Sequence, residues 1–349
     1  MRSSEEGNRV RWGGEPGFFE IWFLVVFDPA APRAWWLRYT TFAPAPGQPG
    51  APRATLWAAA FDARAPTPAR AGKRILPLSA YEAPRDGAFR VRLAEAELGN
   101  DSARGACPVG GRPFAWDLYF TPAEREAVRA PELLHRLPLP TNVSHANDGI
   151  RVNGWVALDG VRIALERAPA VQKHIWGTRR VEELFWLYCP LLDDGGAIEA
   201  TGVRVRRDRG PRIAPVWLRT RGAETSWWNP PGILRRRVVP DGPGRLRVRA
   251  ASATAYVVAT ATCDPATLVG YVYRDPSGFD VYVAQSDVAT CEVAWCDRRH
   301  RLARWNAPRH ARGARTAIEF HERTPLPGVR YVRWDATTAE GGEPCRPAM

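Results

Sequence analysis

The sequence predicts an all-β protein whose antiparallel strands gather into barrels or sandwiches. Three observations carry this. Short aromatic and β-branched runs recur along the chain, separated by Pro, Gly and Asp. Some separators are explicit hairpin turns: Asp159-Gly160 between two apolar runs, and Asp275-Pro276-Ser277-Gly278 between residues 269–274 and 279–284. Helical periodicity is nearly absent, and no Gly-rich loop follows a strand to open a βαβ unit. With 349 residues, the chain has room for two domains or one large β domain.

The expected strands of the first part are 18–27, 34–41, 54–61, 88–93 and 114–120. Those that follow are 150–157, 161–166, 171–176, 184–189 and 198–206. The last are 246–250, 254–262, 267–274, 279–284, 290–296 and 316–321. Each is rich in Val, Ile, Trp, Tyr or Phe, residues that suit a pleated, half-buried surface. The Pro/Gly-rich stretches 43–53 and 99–112 read as long hairpin loops, because strands flank them closely. One short helix is expected from Thr121 to just before Pro131. Thr121 caps it, Pro122 takes the first helical position and Glu124 completes a capping box. Residues 136–149 read as the junction between two β units. The expected division is therefore 1–148, 149–336 and a flexible tail 337–349 that lacks apolar periodicity.

Composition narrows the function classes. Mean hydropathy of −0.33 and 45% hydrophobic residues are those of an ordinary globular protein. No run approaches the roughly 20 apolar residues of a membrane-spanning helix, and Met1–Glu6 opens no secretory leader. A cytoplasmic protein is expected. The net charge of +12 invites a nucleic-acid reading, which the pattern argues against. Lys73 and Lys173 are the only lysines among 49 basic residues, and the arginines are dispersed. Many alternate along strands, as in Arg245-Leu246-Arg247-Val248-Arg249, which places them on a solvated face. A nucleic-acid footprint would be a concentrated stripe. Weak attraction to an anionic membrane surface stays open. The six cysteines include no C-x2-C pair, and His300, His310 and His321 are too far apart for a local metal motif. Reduced thiols, no metal and no organic cofactor are expected.

The most informative segment is Gln172-Lys173-His174-Ile175-Trp176-Gly177. On a strand, Gln172, His174 and Trp176 share one face, with Lys173 and Ile175 opposite. On residues 18–23 the same parity groups Phe18, Glu20 and Trp22 against Phe19, Ile21 and Phe23. These residues also carry a resemblance. Phe19-Glu20-Ile21-Trp22-Phe23 resembles the F-E-x-W-[YF] opening of the lipocalin-like family of tocopherol cyclases, carotenoid 1,2-hydratases (hydroxyneurosporene synthases) and AttH-type proteins. His174-Ile175-Trp176-Gly177 resembles the central H-x-W-G motif of that family, preceded here by Gly149-Ile150-Arg151-Val152-Asn153-Gly154. Phe185-Trp186-Leu187-Tyr188 is similar to its W-x-W strand. Residues 270–274 and Glu319-Phe320 are similar to later strands, so the resemblance spans roughly residues 10–335.

The resemblance implies two lipocalin-like (calycin) antiparallel barrels side by side. It also implies cofactor-independent addition or cyclisation on isoprenoid double bonds, or pericyclic ring closure. The sequence departs from the family in two places. No Tyr-x-Asp pair stands in residues 199–203, where carotenoid hydratases carry one, and His174 replaces the Asn of tocopherol cyclases. The substrate is therefore unassigned.

The chemistry implied is protonation of an apolar substrate in an aromatic barrel cavity. It needs an acid in a water-poor pocket and π-faces around the cation. His174 and Glu20 are the candidate catalytic pair. Trp22, Gln172, Trp176, Trp186, Tyr188, Trp227 and Trp228 are the candidate binding residues. Glu182, Glu183 and Asp117 are weaker carboxylate candidates. The alternative function is a non-catalytic carrier or sensor of a hydrophobic molecule, which needs the cavity alone.

Overall fold

In the computed structural model, which describes residues 2–129, 139–208, 212–227, 236–298 and 300–332, nearly all regular structure is β. The first sheet contains β1 (Phe18–Phe27), β2 (Arg33–Ala43), β3 (Arg53–Asp62), β4 (Ala69–Pro77), β5 (Tyr81–Glu82) and β6 (Arg90–Leu93). It also contains β7 (Ala96–Gly99), β8 (Ser102–Ala106), β9 (Phe114–Phe120), β10 (Thr141–Leu158) and β11 (Val161–Gly177). Its strand order is β4-β3-β2-β1-β11-β10-β9-β8-β7-β6-β5. The sheet curls until the Gly110 N–H donates to Ala71 O of β4 at 2.9 Å. Tyr39 spans the enclosed interior, its hydroxyl donating to Glu97 O at 2.9 Å.

The second sheet contains β12 (Glu183–Cys189), β13 (Ala197–Arg204), β14 (Val216–Thr220), β15 (Ala223–Trp227), β16 (Arg237–Pro240) and β17 (Arg245–Ala251). It continues with β18 (Ala255–Thr262), β19 (Val269–Arg274), β20 (Asp280–Asp297), β21 (Arg309–Glu322) and β22 (Tyr331–Val332). The main path runs β15-β14-β13-β12-β21-β20-β18-β17-β16, and β19 pairs with β20 and, in parallel, with β22. Its curl brings β13 against β16 so closely that a Cβ on Gly202 would lie 2.5 Å from Val238 O.

The hairpin expectations are met with the geometry the turns require. Asp159 and Gly160 both have positive φ, 54° and 80°, as a two-residue hairpin between β10 and β11 demands. Gly278 at φ 95° closes the β19–β20 turn, where the Asp275 N–H donates to Phe279 O at 2.8 Å. Residues 161–166 and 171–176 were expected as separate strands and form one, β11. The interruption at Arg167 (φ 49°) and Pro169 is absorbed by register shifts opposite β10.

One expectation is corrected. Residues 121–129 form no helix. Their backbone is held by β10 instead: the Ala123 N–H donates to Asn147 Oδ1 at 2.7 Å and the Ala127 N–H to His145 O at 3.0 Å. Tertiary hydrogen bonds outweighed the local capping box. Among the described residues the α-helix is α1 (Ser4–Asn8), where Ser3 Oγ accepts the Glu6 N–H at 3.1 Å. The chain passes from one sheet to the other between Gly177 and Glu183, so residues 149–177, expected in the second unit, pair within the first sheet. The expected tail 337–349 and the end of the expected helix lie outside the described residues.

Three apolar layers result. One fills the interior of the first sheet with Trp22, Leu24, Trp35, Leu37 and their neighbours. A second fills the interior of the other sheet. The third lies between the sheets, where Phe19, Ile21, Phe23, Val25 and Phe27 of β1 meet Trp186, Tyr188, Tyr271 and Tyr273. β1 is thus buried on both faces, which is why nearly all ten of its residues are apolar. No helix among the described residues is long and apolar enough to cross a membrane.

Candidate functional site

His174 and Glu20 meet as their strand parity suggested. β1 and β11 are paired neighbours with Trp22 opposite His174 and Glu20 opposite Trp176. His174 Nε2 lies 2.8 Å from Glu20 Oε1, and both side chains are fully buried. His174 Nδ1 donates to the Gly7 carbonyl at 2.9 Å, because a carbonyl can only accept. Glu20 in turn accepts the Arg11 N–H at 2.6 Å and the Trp12 N–H at 2.9 Å. The imidazole stacks on Trp22 at 4.7 Å and lies against Trp176 at 4.5 Å. The rest of this face is also densely hydrogen-bonded, with Asn8 Oδ1 the exception. Trp22 Nε1 donates to Asn8 O, and Asn8 and Asn147 both donate to Gln172 Oε1. Gln172 Nε2 donates to Gly99 O. The N-terminal segment therefore seals this end of the first sheet. Trp22, Gln172, His174 and Glu20 are fully buried there and line neither of the two cavities described next.

The cavity lies on the opposite face of the same strands, between the two sheets. It has a volume of about 320 Å³. Its apolar walls include Phe19, Ile21, Phe23, Trp36, Ile175 and Trp186. A second, wider groove, between β4 and the residues around Cys107 and Phe114 of the first sheet, holds about 1070 Å³ beside Arg74 and Glu95. It is open to solvent and gathers no comparable set of buried polar groups, so the inter-sheet cavity is the better candidate.

Register explains the cavity's polar groups. In the first sheet Lys173, Phe23, Arg38, Trp57 and Lys73 form one row across β11, β1, β2, β3 and β4. In the second sheet Thr201, Trp186, Glu319 and Gln285 form a row across β13, β12, β21 and β20. His321, two residues beyond Glu319 on β21, shares its face. Two buried polar clusters follow.

The first cluster centres on Glu199, which pairs with Lys173 Nζ and accepts the Trp186 indole N–H at 2.9 Å. Arg129 Nε reaches Glu199 at 3.3 Å, and His145 Nδ1 stands 3.4 Å away. Burial alone would push the Glu199 carboxyl up. Lys173, His145 and Arg129 outweigh it and hold the group well below the usual carboxylate range. Burial and then Lys173 push His145 down, so its imidazole is neutral near pH 7. Arg129 also pairs with Asp148, which accepts the Tyr188 hydroxyl at 2.7 Å. This cluster is close to charge-balanced.

In the second cluster the arginines have no direct ion pair among the described residues. Arg38 and Arg180 flank Tyr273, with guanidinium carbons 3.9 Å and 5.2 Å from the ring centroid. Arg38 is 3% exposed, and its Nη2 has no hydrogen-bond partner. Burial, then Arg38, pushes the Arg180 guanidinium down to about 9. His321 stands 3.7 Å from Glu319, within ion-pair range but too long for a hydrogen bond, and its Nε2 is unpartnered. Burial pushes the His321 imidazole down, which keeps it neutral. Behind these, the fully buried Asp287 is raised to about 7 by burial, against the two hydrogen bonds it accepts from Gln285.

Of the residues named from sequence, Trp186 lines the cavity, and Tyr188 stacks behind it at 5.9 Å. Trp176 is on the sealed face. Trp227 is buried in the interior of the second sheet, its indole N–H 3.3 Å from Ala255 O. Trp228 lies outside the described residues. Glu182, Glu183 and Asp117 pair with arginines away from the cavity: Arg179, Arg212 and Arg104. Sequence reasoning missed Arg38, Arg129, His145, Arg180, Glu199, Glu319 and His321. The available signal was lysine. In a chain that uses arginine almost everywhere, its two lysines are both buried, at 0% and 3% exposure. Among the described residues no group of three or more His, Cys, Asp or Glu could hold a metal ion.

No protein-family model matches this chain, and no curated protein matches its sequence. Solved structures do match in fold. An AttH-like protein from Nitrosomonas europaea superposes with a TM-score of 0.55 at 14% identity, covering 91% of this chain and 99% of that one. Kievitone hydratase from Nectria haematococca superposes with a TM-score of 0.50 at 8% identity, covering 92% of this chain and 96% of its own. CghA gives 0.52 at 9% identity over 92% and 96% of the two chains, and it has also been crystallised with Sch210972. The shared fold is the one that the motifs implied, at an identity expected of a divergent chain.

Proposed function

We propose that this protein is a hydratase or cyclase that works by side-chain proton transfer on an apolar, unsaturated substrate held between the two sheets. The observation that carries the reading is a single one: an aromatic-walled cavity of about 320 Å³ lined by a buried, neutral histidine whose Nε2 is unpartnered. An imidazole poised in this way can take a proton from a bound substrate and return it. Glu319 beside Nδ1 would orient the ring and stabilise the imidazolium that forms. A hydratase is among the proteins that share the fold, which is consistent with this class of reaction.

Cavity charge shapes the mechanism. Arg38, Arg129, Lys173 and Arg180 line it, against Glu199 and Glu319. Like unit charges about 4 Å apart repel by roughly 4 kcal/mol at an effective dielectric of 20. A carbocation is therefore poorly accommodated at the arginine end, and developing negative charge is well accommodated. Base-assisted addition, elimination or ring closure through an enolate-like transition state fits better than protonation of an isolated alkene.

The test is isotope uptake. The protein is incubated in D2O with a panel of apolar enones and α,β-unsaturated acids, and the recovered compounds are read by mass spectrometry. Deuterium incorporation or gain of one water that is lost in His321→Asn supports the reading. Tight binding without exchange in any compound would favour the carrier.

A further inference from the structure

Deepening the proposed function, and resting on it, we infer that the substrate carries an ionised acidic oxygen group, a carboxylate, phenolate or enolate, seated on Arg38 in the field of Arg180. Three observations lead there. Arg38 is 3% exposed and lines the cavity, yet its Nη2 meets no acceptor. Its Nε is spent on Thr40 Oγ1 at 3.1 Å, and its plane rests on Tyr273. Arg180 lines the same end and is 6% exposed.

Neither guanidinium has an ion pair within 4.0 Å among the described residues, whereas Arg129 and Lys173 across the cavity are both paired. Arg180 Nε donates to the Arg274 carbonyl at 3.1 Å, which neutralises no charge. The nearby Asp275 is occupied by the Arg180 backbone N–H at 2.5 Å and by the N–H and hydroxyl of Ser277 at 2.8 Å and 2.6 Å. Glu319 is the one carboxylate facing this end from β21, and it is 22% exposed. Two buried cations thus lack a direct ion pair: Glu319 is partly solvated, and buried Asp275 acts on Arg180 only through space, its oxygens taken up by N–H and hydroxyl donors. Buried charges without partners are costly, and proteins retain them where a ligand supplies the countercharge. A neutral carbonyl would satisfy the Nη2 hydrogen but leave the Arg38 guanidinium without an ion pair. An acid satisfies both, and charge-assisted hydrogen bonds to Arg are the strong kind. With the acid there, the carbons next to it would lie toward His321.

Calorimetric titration of geranate and geraniol tests this, since the two share one C10 chain and differ in the head group. At a pH near 7 the wild-type protein should bind geranate about 10–100-fold more tightly than geraniol, the worth of a hydrogen bond to a charged group. Arg38→Met should bring the two within about 3-fold of each other, leaving geraniol affinity nearly unchanged, and Arg180→Met should reduce the preference by a smaller factor. Equal wild-type affinities, or a preference that survives both substitutions, would overturn the inference while leaving the cavity reading intact. Ile21→Trp, which fills the cavity, separates the two ideas. It should weaken both ligands. If both bind the filled variant normally, or neither binds the wild type, the cavity reading itself falls and this inference with it.

Discussion

Two buried polar clusters of opposite character lie against the two faces of the sheet around β1 and β11. On the inner face of the first sheet, His174 and Glu20 have every hydrogen-bonding position engaged, largely by backbone from residues 7–12. On the outer face, toward the second sheet, Arg38 Nη2 and His321 Nε2 border a cavity with no partner. Satisfied polar networks rigidify a fold, and unsatisfied ones beside a void are where a ligand finds its partners. The first cluster reads as a clasp that ties the N-terminal segment over the sheet end. The second is the proposed site.

Breaking the clasp should have the largest effect. Glu20→Ala leaves His174 and the Arg11 and Trp12 N–H groups without an acceptor. It should lower stability by about 3–5 kcal/mol in chemical denaturation, as removal of one partner from a buried pair does. A loss below about 1 kcal/mol would mean the N-terminal segment is not held by this pair.

The next prediction sharpens the contrast through pH. Asp287 lies behind the cavity with its carboxyl raised to about 7, above the 3.8 of an unperturbed group. The folded state therefore binds this proton more tightly than the unfolded state does. Its contribution is present at low pH and is lost as pH rises through 7. Asp287→Asn should be more stable than wild type above pH 7 by on the order of 2 kcal/mol, and the gain should shrink toward pH 4. His145 and His321 are depressed, so they tilt wild-type stability the other way as acid approaches. The variant must be compared with wild type at each pH, and a gain that does not vary with pH would contradict the assignment.

A smaller effect distinguishes the two aromatic walls. Trp186→Ala should cost about 1–3 kcal/mol of ligand affinity, because the indole lines the cavity. Trp176→Ala should cost stability and leave affinity unchanged, because that ring packs on His174. Equal losses of affinity would put the ligand on the sealed face.

Much of this was legible in the sequence. Strand parity correctly separated Glu20, Trp22, Gln172, His174 and Trp176 from Phe19, Ile21, Phe23, Lys173 and Ile175. It did not say which face would be left open. Both faces of β1 are apolar, and the sealing of one comes from Gly7, Asn8, Arg11 and Trp12, whose docking is set by long-range contacts. The capping box at Thr121 failed for the same reason, since Asn147 offered its backbone a tertiary partner. The arginines at the cavity were hidden among many surface arginines, while Lys173 stood out by its rarity.

The central claim is that chemistry belongs to the inter-sheet cavity and not to the His174–Glu20 pair. The most direct test compares turnover of one substrate by His321→Asn and His174→Gln, each at a temperature where both variants are folded. The account predicts a fall of roughly 10²–10⁴-fold for His321→Asn, as for loss of a general acid–base group, and a change of only a few-fold for His174→Gln. Full activity in His321→Asn together with a collapse in His174→Gln would contradict it and return the catalytic role to the clasp.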